Sequence, residues 1–230
     1  MTAMNLNHPE GIFVAKDKIS ALTHFIGFLL SIAGMPVLLI HASLLGASEV
    51  QMIGYAVFMA SMILLYGASA AYHSFHISPR IDRVLKKLDH CSIFVLIAGS
   101  YTPICLTVLK GESGVILLAA VWIIALLGIV FKLCWVTCPK WVSSVIYTAM
   151  GWACLTELPA LLIGLGSGFS LLLLGGIFYT LGAVIYARKK PLFANEKETG
   201  FGNHELFHLF VMAGSLCHYL LAYQVLTILL

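Results

Sequence analysis

The sequence predicts an all-α polytopic membrane protein: one seven-helix transmembrane bundle over residues 1–230, with its N-terminus inside and its C-terminus outside. Three observations carry that prediction. Of 230 residues, 60% are hydrophobic and only 10% charged, whereas a soluble domain carries about 25% charged residues to solvate its surface. The apolar runs are continuous over about 20 residues, the length an α-helix needs to cross a bilayer. The basic residues, finally, gather in alternate connecting segments, as the positive-inside rule requires.

Residues 1–18, MTAMNLNHPEGIFVAKDK, are expected to form a short cytoplasmic segment. They lack the apolar core of a cleavable signal. Seven spans follow, at about 20–45, 50–75, 89–109, 114–135, 141–164, 168–187 and 205–229. Short connections make neighbouring helices antiparallel. No run shows the ten-residue alternation of a membrane β-strand. Pro36, Pro103 and Pro159 fall inside spans and predict kinks rather than ends. The separator between spans five and six is Gly164-Leu165-Gly166-Ser167-Gly168, a turn-like run without charge.

Orientation follows from Lys and Arg. Lys16 and Lys18 precede span one, and Arg80, Arg83, Lys86 and Lys87 join spans two and three. Lys132 and Lys140 bracket the turn from four to five; Arg188, Lys189, Lys190 and Lys197 join six to seven. Twelve of the thirteen basic residues thus share one side, and only Lys110 falls opposite. The rich side is read as cytoplasmic. The net charge of +3 therefore reflects topology and gives no reason to expect a nucleic-acid partner. The scattered cysteines, with no CxxC pair, predict no disulfide framework. Cys134 and Cys138, at the turn from four to five, are the two that could instead take a lipid or a metal.

That orientation brings the polar motifs together. Ser69-x-x-x-His73 ends span two at the cytoplasmic side, Asp89 opens span three there, and His204-x-x-x-His208 opens span seven. The i, i+4 spacing places each pair on one helix face, about a turn apart. Ionisable groups are costly in a bilayer and suggest function. His73, His204 and His208 are expected to bind zinc as three neutral imidazoles, with a fourth position left for water. Such a site lowers the pKa of its water to about 7. Asp89 would serve as general base or orient a ligand imidazole, with Ser69 in a weaker version of either role. Taken singly, each of these residues also suits an interfacial position in contact with headgroups.

Other residues are weighed against that set. His24, on the cytoplasmic half of span one, could approach the site, with helix packing or a water contact as the plainer role. His76 and His90 are expected to be exposed at the interface. Glu157 lies about 16 residues into span five, roughly 24 Å deep, too far for a ligand. It could belong to an outer cavity with His41 or His218, or snorkel. Trp135, Trp141 and Tyr186 suit an inner aromatic belt.

The segments SMILLYGASAAYHSF, KKLDHCSIFVLIAGSYTP and NHELFHLFVMAGSLCHY, with the opening EGIFVAKDKISALTHFIG, resemble the hemolysin III family of the progestin and adipoQ receptor superfamily. The resemblance covers nearly the whole chain. It implies seven helices around a cytoplasmic-side zinc ion, with His73, His204 and His208 as ligands, Asp89 contacting a zinc-bound water and Ser69 lining the site. The long N-terminal region of the receptors has no counterpart here, which points to the short, bacterial-type branch and an inner-membrane location. Relatives such as adiponectin receptors and alkaline ceramidases are credited with zinc-dependent lipid amide hydrolysis.

The functional expectation is a zinc-dependent hydrolase of a lipid-like amide or ester, with membrane lipid as its partner. Two other classes use the same residues: a pore-forming or transport protein, and a signalling protein in which zinc is structural. The basic turn at residues 80–87 could bind anionic lipid or a cytoplasmic protein, and the sequence names no particular protein partner.

Overall fold

The computed structural model describes residues 15–109 and 111–229. Most of the expected N-terminal segment, and Lys110, expected alone on the far side, lie outside the described residues. Helix α1 (Lys18–Leu44) carries Pro36 in its interior. The chain turns at Gly46, whose φ of 88° suits glycine because it has no Cβ to clash. Ser48 then opens α2 (Glu49–Ser74) with a capping box closed by Gln51.

Helix α3 (Pro79–Thr107) begins ten residues before the expected span. The charged stretch 79–88 is helical too, because Ser78 caps Ile81 and Pro79 sits at the first helical position, where its fixed φ is already suitable. Asp89 therefore lies well inside the helix rather than at its start. Helix α4 (Glu112–Cys134) and α5 (Lys140–Gly151) follow. Next come a 3₁₀ turn at Trp152–Glu157, α6 (Leu158–Leu165), a second 3₁₀ turn at Gly166–Gly168 and α7 (Phe169–Ala187). Pro159 lacks the N–H that would continue α5 in register, so the preceding turn tightens. Short α8 (Glu196–Thr199) leads to α9 (Asn203–Leu221), which ends in a π turn at Ala222–Leu226.

Among the described residues, six helical stretches are long and apolar enough to cross a membrane, where the sequence predicts seven separate spans. The difference lies in Lys140–Ala187, a run of 48 residues. Gly164–Gly168 stays in helical turns instead of opening into a loop, so the two expected spans are joined. The run nevertheless folds back on itself. Trp152 Nε1 donates to Thr180 Oγ1 at 2.9 Å, and Lys140 Nζ lies 4.6 Å over the Tyr186 ring. Contacts this far apart in sequence require α5 and α7 to run side by side in opposite directions.

Packing supports a membrane environment. The core holds Tyr55, Phe58, Tyr66 and Phe94, all essentially inaccessible. The outside is apolar as well: Leu30 is 63%, Leu127 65% and Ile163 86% exposed. In water such a surface would drive aggregation; against lipid tails it carries no such penalty. Helices α2 and α3 meet where Gly99 faces Ser61, and α3 and α4 where Gly128 faces the Phe94 ring. Small residues let helix backbones approach closely in a bilayer. The chain is an integral membrane protein with several spans.

Candidate metal centre

The three histidines expected to act together do meet. One ring nitrogen each from His73, His204 and His208 lies within 4.8 Å of the others. His73 comes from the last turn of α2; His204 and His208 come from the first two turns of α9. His73 and His208 are buried, and His204 is half-buried.

The hydrogen bonds around the rings decide which nitrogen each can offer. Asp17 Oδ2 lies 2.8 Å from His73 Nδ1, so Nδ1 carries the proton and Nε2 keeps its lone pair. The same aspartate's backbone N–H donates to the His73 carbonyl at 2.9 Å, which satisfies an acceptor left open by the end of α2. Thr23 donates its hydroxyl to the Ser20 carbonyl at 3.1 Å. Its oxygen is then free to accept at 3.5 Å from His208 Nδ1, turning the lone pair of that ring to Nε2 as well. Carboxylates and carbonyls that orient a ligand imidazole in this way are characteristic of metal sites.

The spacing also fits an ion. His204 Nε2 and His73 Nε2 stand 3.1 Å apart. Two nitrogens each bonded at about 2.0–2.1 Å to one tetrahedral ion would stand about 3.3 Å apart. Three imidazoles form a donor set suited to zinc and other first-row divalent ions.

Asp89 and Ser69 stand next to this group without joining it. Asp89 is buried at 8% exposure, close enough to His73 and Ser69 to interact electrostatically, but outside the set of converging ligand atoms. Ser69 is buried beside it, with its hydroxyl in interacting reach of the Asp89 carboxylate. Both line one cavity with His24, His204 and His208. The cavity has a volume of about 150 Å³ and continues between α3, α5, α7 and α9.

Apart from His24, which was weighed as able to approach the site, several contributors were not legible in the sequence. Helix α1 and the residue before it supply Asp17, Ser20, Thr23 and His24, which fall on one helical stripe. Ser20 Oγ donates to Glu205 Oε1 at 2.7 Å, and Glu205 Oε2 accepts from the Gly202 N–H at 2.9 Å, so α1 and the start of α9 are locked together. His24 is buried, with its ring stacked on His208 at 3.6 Å between centroids and 10° between planes. Parallel rings cannot point two lone pairs at one ion, so His24 packs on a candidate ligand instead of joining it. The signal available was the polar spacing itself, on a helix otherwise apolar.

The remaining histidines divide. His76 is exposed, as expected, and pairs with Asp82. His90 differs from expectation: its side chain is 14% exposed, with Nε2 4.0 Å from Asp89 Oδ2, and it lines the cavity. His41 stacks on Tyr223, and Glu157 is half-buried. His218 lines the cavity. Trp135 and Trp141 are exposed, but Tyr186 turns into the cavity beside His204.

A family model described as haemolysin-III related matches residues 13–219. The chain belongs to the haemolysin-III-related family. It is 40% identical over 204 residues to Hemolysin-3 of Bacillus cereus, covering 88% of each chain. Over 206 residues it is 41% identical to a Hemolysin-3 homolog of Bacillus subtilis (strain 168), covering 89% of this chain and 92% of that one. A more distant similarity, 27% over 191 residues, links this haemolysin-III-related protein to an adiponectin receptor protein of Drosophila melanogaster; it covers 74% of this chain and 41% of the receptor. Every residue of the candidate centre lies within the family match.

Proposed function

We propose that this protein is a zinc-dependent hydrolase of a lipid-like amide or ester in the bacterial inner membrane, built as one domain over residues 1–230. The observation that carries this reading is the convergence of His73, His204 and His208 with Asp89 beside, but not among, the three ring nitrogens. Three protein ligands leave a tetrahedral site one open position, the arrangement of catalytic rather than structural zinc. The same-end grouping of the basic segments supports an N-in, C-out topology with the centre at the cytoplasmic face. With Lys140–Ala187 folded back on itself, the chain would cross seven times.

Zinc held by the three imidazoles would supply a Lewis acid for the substrate carbonyl and acidify a water molecule. The chain's own residues do the rest. Asp89 takes the proton from the attacking water and returns it to the departing amine or alcohol, so that water is consumed and an acid and an amine or alcohol are formed. Ser69, beside Asp89, helps position that water through its hydroxyl. Asp17 and Thr23 keep His73 and His208 aimed inward. The apolar cavity wall takes the acyl tail and excludes bulk water, which suits an amphiphile arriving from the bilayer.

The name of the bacterial relatives raises a pore-forming reading, but the largely apolar surface of the cavity suits an amphiphile better than an ion. The experiment that tests the hydrolase reading is metal stoichiometry followed by lipid amide turnover on detergent-purified protein. About one zinc per chain, lost in both His73→Ala and His208→Ala, together with release of free acid by wild type only, is the expected result. Zinc-free, folded wild type would overturn it.

A further inference from the structure

The cavity does not end at the histidine cluster. It extends past Leu96, Ile97, Leu161 and Val211 to His218, ten residues beyond His208 on α9, or about 15 Å along the helix axis. His218 is a polar group set in this apolar stretch of the wall. Both ring nitrogens of His218 are buried and have no hydrogen-bond partner among the described residues. The Leu172 carbonyl lies beside the ring and completes no hydrogen bond with it.

Neighbouring groups leave the ring available. Gly175 makes room for it: a Cβ there would stand 2.5 Å from His218 Nε2. Tyr179 meets the ring edge-on at 5.4 Å, but its hydroxyl is already engaged with Ser215 at 2.9 Å, and Ser215 also accepts from Tyr66 at 2.7 Å. Among the described residues, then, only the Leu172 carbonyl approaches the imidazole, and neither ring nitrogen completes a hydrogen bond. A neutral imidazole carries one donor and one acceptor, and leaving these unmet in an apolar interior is costly.

We infer that His218 forms a second polar subsite, which recognises a hydroxyl group on the acyl tail of the substrate about 15 Å from the carbonyl held at the histidine centre. The inference rests on the lipid-hydrolase reading of that centre. A hydroxyl both donates and accepts, so it satisfies whichever tautomer the ring adopts. The preferred substrate class is then a long-chain amide or ester oxygenated within its chain, in preference to a plain saturated one.

Binding of two probes, stearic acid and its mid-chain hydroxylated form, to zinc-loaded protein in detergent tests this. Wild type is expected to bind the hydroxy acid about tenfold more tightly, the contribution of roughly one net hydrogen bond. His218→Leu should bring the two affinities together without weakening the plain acid more than about twofold, while His218→Gln keeps part of the preference. Gly175→Ala, which crowds the ring without removing it, should also lower the ratio. Retained zinc in each variant shows that the protein is folded and that His218 is not a ligand. Equal affinities in wild type, or a preference that survives His218→Leu, overturn the subsite and leave water as the partner of the ring. If zinc-loaded wild type binds neither acid, the lipid reading of the whole cavity fails, and the subsite with it.

Discussion

Asp17 holds His73 at two points: its carboxylate Oδ2 lies 2.8 Å from His73 Nδ1, and its backbone N–H donates to the His73 carbonyl at 2.9 Å. One contact fixes the end of α2 and the other fixes the tautomer of its last histidine. The entry to α1 is therefore part of the centre, although it supplies no ligand atom. Because the two contacts use different atoms, they can be separated by substitution. Asp17→Asn keeps the backbone contact but no longer offers a carboxylate to Nδ1–H. Its zinc affinity should fall about 10–100-fold, the usual loss on removing such an orienting group. Competition with a chelator measures it; unchanged affinity would show that the carboxylate is a bystander.

Asp89 calls for the opposite pattern. It sits beside His73 and Ser69 but outside the ligand set. Asp89→Asn should therefore retain about one zinc per chain while turnover falls by about 10²–10⁴, the range for loss of a general base. Loss of metal together with activity would make Asp89 a ligand and overturn its place outside the three ring nitrogens.

Much of this site was legible because a helix preserves i, i+4 spacing wherever it is placed. Ser69–His73 and His204–His208 needed only the right helices and the right orientation to converge. The contribution of α1 was harder to see. Asp17 lies between two lysines read as topology signals, and Ser20 and Thr23 are small polar residues that many spans carry. Their role appears only once α1 packs against α9 through Ser20 and Glu205. His90 is largely covered because its neighbours in the bundle close over it, and one-dimensional position near an interface cannot convey that. The turn at Gly164–Gly168 was legible as a reversal, but its helical hydrogen bonding, which fuses two spans into one run, was not. Asp89 was misplaced along its helix because hydropathy marks where a bilayer begins, not where Ser78 and Pro79 start the backbone turning.

The close approach of α2 and α3 gives a prediction for the fold alone. A side chain at Gly99 would collide with Ser61, which is buried and donates to the Phe58 carbonyl. Gly99→Leu should destabilise the protein by about 1–3 kcal/mol, the range for overpacking a tight contact. At Gly151 a Cβ meets nothing within 4 Å, so Gly151→Ala should leave stability within about 0.5 kcal/mol. Thermal unfolding in one detergent compares the two directly. Equal effects would mean that the α2–α3 contact is looser than its geometry.

His24 separates packing from ligation. Its ring stacks on His208 at 3.6 Å and meets Tyr66 edge-on at 5.1 Å. His24→Phe keeps an aromatic ring in both contacts and removes both nitrogens. Zinc content should remain at about one per chain in His24→Phe and be lost in His204→Phe, although both remove one imidazole from the same cluster of rings. Since the stack, with Thr23, holds His208 in place, His24→Ala should behave differently again. It leaves a void beside a candidate ligand, so zinc affinity and thermal stability should fall together, the latter by about 2–4 kcal/mol. If His24→Phe loses its metal outright, the parallel stack cannot describe the loaded protein, and His24 becomes a fourth ligand. Four protein ligands would close the open position and move the argument from catalysis to structural zinc.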